Sequence, residues 1–81
     1  MKAEPTVHYH RALMKMPIAV RDAAYKQVDI LIHDLRHPSL RAKKYDEARD
    51  IWQARVTGSY RFYFAIRGDA YVLLDITKHP K

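Results

Sequence analysis

From Ile18 onward the apolar positions Val20, Ala24, Val28, Leu31 and Leu35 recur at intervals of four, four, three and four. This is the period of an α-helix with one buried face. Tyr25 and Ile32 widen the stripe. A helix tolerates proline in its first turn, where Pro17 stands, and Pro38 biases His37 away from helical geometry. The pattern therefore predicts a helix from about Pro17 to about Arg36. Upstream, Val7 and Tyr9 alternate with His8 and His10 as in a short strand, and Arg11 to Met16 reads as a first helix of one or two turns.

Beyond Pro38 the period changes. Ser39 to Asp50 (SLRAKKYDEARD) is polar and basic without a clear repeat and reads as a connection carrying one short edge strand. Three strand patterns follow, Ile51 to Thr57, Tyr60 to Arg67 and Ala70 to Thr77, each rich in aromatic and β-branched residues. Gly58-Ser59 and Gly68-Asp69 separate them and contain the only two glycines, as tight hairpins favour. The expectation is an antiparallel meander.

Alternation sorts the meander into two faces. One collects Trp52, Ala54, Val56, Tyr60, Phe62, Phe64, Ile66, Val72, Leu74 and Ile76, and the long helix must cover it, since no other apolar stripe in the chain is large enough. The other collects Gln53, Arg55, Thr57, Arg61, Tyr63, Ala65, Arg67, Tyr71, Leu73, Asp75 and Thr77 and is left open. The fold class that results is α+β: a short N-terminal strand and a helical hairpin packed on a C-terminal antiparallel sheet of three to four strands.

Composition narrows this reading. Eighty-one residues, 48% hydrophobic and 30% charged, suffice for one domain at residues 1–81 and exclude collagen-like and disordered classes. The absence of cysteine removes disulfides, thiolate metal sites and cysteine nucleophiles together, and fits a reducing cytoplasm. No apolar run approaches the ~20 residues of a membrane span, and the first ten residues lack the apolar stretch of a signal peptide. A soluble, unprocessed cytoplasmic protein without a membrane partner is expected. The net charge of +6 points to a polyanionic partner. Residues 1–35 hold five basic and four acidic groups, whereas residues 36–81 hold ten and five, so the C-terminal half should build the anion-binding surface.

The open face supplies its chemistry. Guanidinium groups grip phosphate bidentately and aromatic rings stack on unpaired bases, so Arg55, Arg61 and Arg67 with Tyr63 and Tyr71 suit single-stranded nucleic acid. Antiparallel sheets also commonly show one solvated face, which the same residues would decorate without further purpose. Composition and alternation leave both readings standing.

A set of motifs in order bears on that choice: "HPSLR" at the helix end, a basic "KK", "DIWQARV", "YRFYF", "GDAYVLLDI" and a terminal "KH". Together they make residues 37–81 resemble the RelE/ParE superfamily of bacterial toxin–antitoxin toxins, and "LMKMP" before the long helix agrees more loosely. The resemblance implies a βααβββ-type domain and a cognate antitoxin encoded beside it. The complex of the two would repress its own operon, with DNA bound chiefly by the antitoxin.

For the RelE-like branch the resemblance implies ribosome-dependent cleavage of mRNA without metal or other cofactor, by attack of a ribose 2′-OH on its own 3′-phosphate. Such chemistry needs a proton acceptor, positive charge on the developing phosphorane and a proton for the leaving oxygen. Arg61 falls where the family's phosphate-stabilising arginine lies, and Arg55 would steady the same or a neighbouring phosphate. Lys43 and Lys44 match positions of RNA-steering or catalytic lysines. His79, whose side-chain type titrates near neutrality, is the acid or base candidate. Tyr63 would stack on a base, and Arg67 and Lys78 would contact the RNA backbone. Two alternatives stay open: an inhibitor of DNA gyrase of the ParE branch, and a non-catalytic RNA- or ribosome-binding relative.

His33 and His37 in "HDLRH" superficially resemble a zinc-binding helix motif, but His37 abuts Pro38 and no third ligand is evident. His8 and His10 make a weaker case. Leu13, Met14 and Met16 read as core.

Overall fold

The computed structural model describes residues 1–79. Its elements run β1 (Lys2–Pro5), α1 (Val7–Met14), α2 (Ile18–His33), a 3-10 turn (Pro38–Leu40), β2 (Lys43–Asp46), β3 (Ile51–Arg55), β4 (Tyr60–Arg67) and β5 (Ala70–Lys78). The strands form one sheet in the order β1-β5-β4-β3-β2. The α+β class and the meander stand as expected. The sheet, however, has five strands and is mixed, because β1 pairs in parallel with β5. Lys2–Pro5 carries no strand pattern of its own and is a strand because the edge of β5 offers it a ladder.

Val7–His10, expected as a strand, opens α1 instead. Thr6 caps the helix: its Oγ1 accepts from the Tyr9 amide at 3.1 Å and donates to the Leu73 carbonyl at 2.8 Å, tying the cap to β5. Tyr9 and Leu13, one helical turn apart, are both buried. The second helix stops at His33 rather than Arg36, since Asp34 turns extended (φ −158°) and its carboxylate accepts from the Arg36 amide.

The core lies between the helices and one face of the sheet, with Phe62, Phe64, Leu31, Leu40 and Ile76 fully buried. Leu40 enters it from the 3-10 turn. The buried Gln27 locks these layers together, its Nε2 donating to the carbonyls of Ser39 (3.2 Å) and Arg55 (2.8 Å). Strand β2 begins only opposite Gln53, so the Arg55 carbonyl at the sheet edge takes its hydrogen bond from a side chain.

A bulge in β5 corrects the assignment of faces. Tyr63 stands opposite Asp75, but Phe64 stands opposite Leu73, so alternation reverses at Leu74. Tyr71 and Leu73, expected on the open face, are therefore core residues at 5% and 3% exposure, and Tyr71 meets Phe64 edge to face at 5.6 Å. Val72 and Leu74 pass to the other side. In the β4–β5 turn, Gly68 takes a φ of +58°, the left-handed conformation that glycine enters freely. The β3–β4 connection is longer than expected, running Val56–Ser59.

Candidate nucleic-acid interface

No helix covers the second face of the sheet, and the register arranges its side chains in rows across the strands. Lys43, Gln53, Tyr63 and Asp75 form one row, and Arg55, Arg61 and Thr77 form the next. Arg55 and Arg61 are directly opposed. Like charges so placed repel each other, and an anion between them would relieve that repulsion.

Both guanidinium groups gather at the β3–β4 turn. Arg61 Nη1 donates to the carbonyls of Thr57 (2.7 Å) and Tyr60 (3.0 Å), which fixes its orientation. Arg55 Nη2 lies 3.6 Å from where a Cβ on Gly58 would stand. The ladder continues past β5, with the His79 amide donating to the Ser59 carbonyl at 2.6 Å. His79 thus extends the register of Asp75 and Thr77 and arrives at the same turn, its side chain exposed. Two arginines and a histidine from three segments meet at one corner of the open face.

The middle of the face is more apolar. Tyr45 meets Tyr63 edge to face at 4.9 Å, and a groove of about 310 Å³ is lined by Tyr45, Ile51, Tyr63, Leu74, Asp75 and Thr77. Asp75 is engaged by His8 Nε2 of α1 at 3.2 Å. His8 and Tyr45 escape a reading by alternation because one sits on a helix misread as a strand and the other in the connecting segment. The tight Thr6 cap was the available signal for the first.

The remaining candidates are dispersed. Lys43 belongs to the open face, but its neighbour Lys44 points to the helix side, over the Trp52 ring at 5.4 Å and bonded to Asp50. That bond holds the Lys44 ammonium above its ordinary pKa and the Asp50 carboxyl below its own. Lys78 shares the helix-side face with Ile76 and is exposed. Arg67 is on the open face at the opposite end of β4 from Arg61, ~20 Å along the strand. His33 and His37 bond separately, His33 Nδ1 to the Asp29 carbonyl and His37 Nδ1 to Ser39. Among the described residues no three His, Asp or Glu side chains are grouped to hold a metal ion, and no helix is long and apolar enough to cross a membrane.

No protein-family profile matches the chain. No curated protein sequence matches it either. Solved structures do: a YoeB/ParE toxin from Agrobacterium tumefaciens superposes with a TM-score of 0.81 at 12% identity, covering 99% of this chain and 100% of that one. The chain has the RelE/ParE toxin fold. The toxin–antitoxin complex RelBE2 from Mycobacterium tuberculosis matches at TM-score 0.75 and 23% identity over 96% of both chains. The archaeal RelE–RelB complex from Pyrococcus horikoshii matches at 0.78 and 18%, over 95% of this chain and 92% of that one. Coverage this complete brings the parallel strand β1 and both helices within the RelE/ParE fold, as well as the meander that carried the sequence resemblance.

Proposed function

We propose that this chain is the toxin of a type II toxin–antitoxin pair and that it halts translation by cutting mRNA on the ribosome. One observation carries the reading: the guanidinium groups of Arg55 and Arg61 and the backbone of His79 converge on the β3–β4 turn, on a sheet face that no helix covers. In the reaction the ribose 2′-oxygen attacks the adjacent phosphorus, the bond to the 5′-oxygen of the next nucleotide breaks, and a 2′,3′-cyclic phosphate is left. Arg61, oriented by its two carbonyls, binds the non-bridging oxygens as charge accumulates there, with Arg55 beside it. His79 carries the proton between the 2′-hydroxyl and the leaving oxygen, a task suited to imidazole near neutrality. Tyr63 stacks on a base and Lys43 holds a flanking phosphate. Lys44, turned to the other face, has no part in the catalytic set.

The partner expected is an antitoxin, since matching structures include RelB–RelE complexes, and the proposal sets it over this face. The pair would act in the cytoplasm and bind operon DNA through the antitoxin. Induced expression without antitoxin should stop protein synthesis within minutes and leave new mRNA 5′ ends inside codons. Arg61→Ala with His79→Ala should abolish both. Filamentous cells with DNA breaks and intact mRNA would instead indicate gyrase inhibition, and arrest that survives the double substitution would indicate a binding role without cleavage.

A further inference from the structure

Unpaired positive charge also gathers on the helix side of the sheet. There a cleft of about 430 Å³ opens between α2, the 3-10 turn and the free edge of β3, walled by Lys26, Arg41 and Arg55. A second cleft of about 270 Å³ adjoins it, sharing Pro38 and Arg41 and adding Arg36, His37 and Trp52. No acidic residue lines either cleft. Every ion pair among the described residues lies elsewhere, so Lys26, Arg36, Arg41 and Arg55 face no carboxylate within 4.0 Å.

The walls are firmly built. Gln27 bonds both sides of the larger cleft, from Ser39 to Arg55. Arg41 takes a φ of +46°, a left-handed conformation costly for a side chain of this size, and at that position it lines both clefts at once. Four uncompensated cations around two concavities favour a ligand with repeated negative charge.

We infer that these joined clefts are a second RNA-binding site, taking the phosphates of a single strand that continues past the Arg55 corner around the edge of β3. Arg55 is the link, since it belongs by register to the open face and also lines the larger cleft. The inference rests on the proposed action on RNA but concerns a surface that shares only Arg55 with the cleavage corner. It assigns Lys26, Arg36 and Arg41 to holding the strand and gives them no part in proton transfer or phosphorane stabilisation.

Fluorescence anisotropy with a short labelled RNA strand tests it. A 2′-O-methylated strand cannot undergo 2′-oxygen attack, so binding is read without cleavage. Lys26→Glu with Arg41→Glu should weaken binding at least about tenfold and lower the slope of log affinity against log salt by about 1.4, roughly 0.7 for each phosphate left without its cation. Arg11→Glu with Lys15→Glu makes the same change in net charge on α1 and its C-cap and should shift affinity by less than about threefold. Unfolding curves for both variants check that each is folded, and Lys26→Gln with Arg41→Gln should give a smaller loss of affinity. Equal losses in the two charge-reversed variants, or no loss in the cleft variant, would overturn the inference. So would loss of polyglutamate binding while RNA binding persists, which would make the cleft a site for an acidic peptide. If the wild type cuts no mRNA yet binds the strand through Lys26 and Arg41, the functional proposal fails and the cleft assignment stands.

Discussion

Arg61 and Phe62 are consecutive in β4, yet they answer to different demands. Phe62 is fully buried between sheet and helices, against Phe64 at 5.8 Å, while Arg61 is half-buried on the bare face with its guanidinium held by two turn carbonyls. The same alternation divides β3, where Ala54 is buried and Gln53 and Arg55 remain accessible. A chain of 81 residues with two helices covers only one face of its sheet. Stability therefore rests with one set of alternate residues and the proposed phosphate chemistry with the other, and substitution should separate them.

The largest expected effect falls on the covered face. Phe62→Ala should cost about 3–5 kcal/mol in urea unfolding, while Arg61→Ala, which gives up two hydrogen bonds to partly accessible carbonyls, should cost no more than about 1 kcal/mol. Comparable losses would mean that the two faces are not separable. The bulge offers a finer test between adjacent leucines. Leu73→Ala should cost about 2–4 kcal/mol and Leu74→Ala about 1 kcal/mol or less; the reverse order would restore the uninterrupted alternation expected from sequence. Gln27→Ala strands two carbonyls at the helix–sheet junction, and a loss of about 1–3 kcal/mol should appear in the same assay.

The smallest effect is confined to alkaline solution. Burial, with Tyr25 nearby, pushes the Tyr9 hydroxyl up to about 12 from an ordinary 10.0. The folded state thus holds the proton more tightly than the unfolded one, so this contribution is complete below pH 10 and is lost as pH rises through 12. Tyr9→Phe should remove that part of the alkaline destabilisation and leave the neutral-pH midpoint nearly unchanged. Identical alkaline profiles for the two proteins would refute it.

The elements that were legible in the sequence are those whose pattern is long relative to their period. Helix α2 shows its apolar stripe over several turns, and β3, β4 and β5 show alternation closed by turns. Four residues, Val7 to His10, are too few to tell a strand from a helical turn, and the decisive contact, from Thr6 to the Leu73 carbonyl, spans most of the chain. The bulge was hidden for another reason. In "YVLLD" apolar residues occupy both faces, so a reversal of alternation leaves no trace in hydropathy. Strand β1 has no pattern to find, because its partner is the edge of β5. Of the candidate site, Arg55, Arg61 and Tyr63 could be placed by alternation alone. Lys43 and Lys44 could not, since adjacent strand residues must point apart and only the register of β2 decides which one faces the arginines.

The claim that the bare face cuts RNA is tested most directly in a purified translation system, with the protein added to ribosomes paused on a defined message and the RNA 5′ ends mapped. The account predicts cleavage within the ribosome-bound codon, a 2′,3′-cyclic phosphate on the upstream fragment, and at least about a hundredfold slower cutting by Arg61→Ala of unchanged fold. An intact message under wild-type protein, or equal cutting by Arg61→Ala, would contradict it.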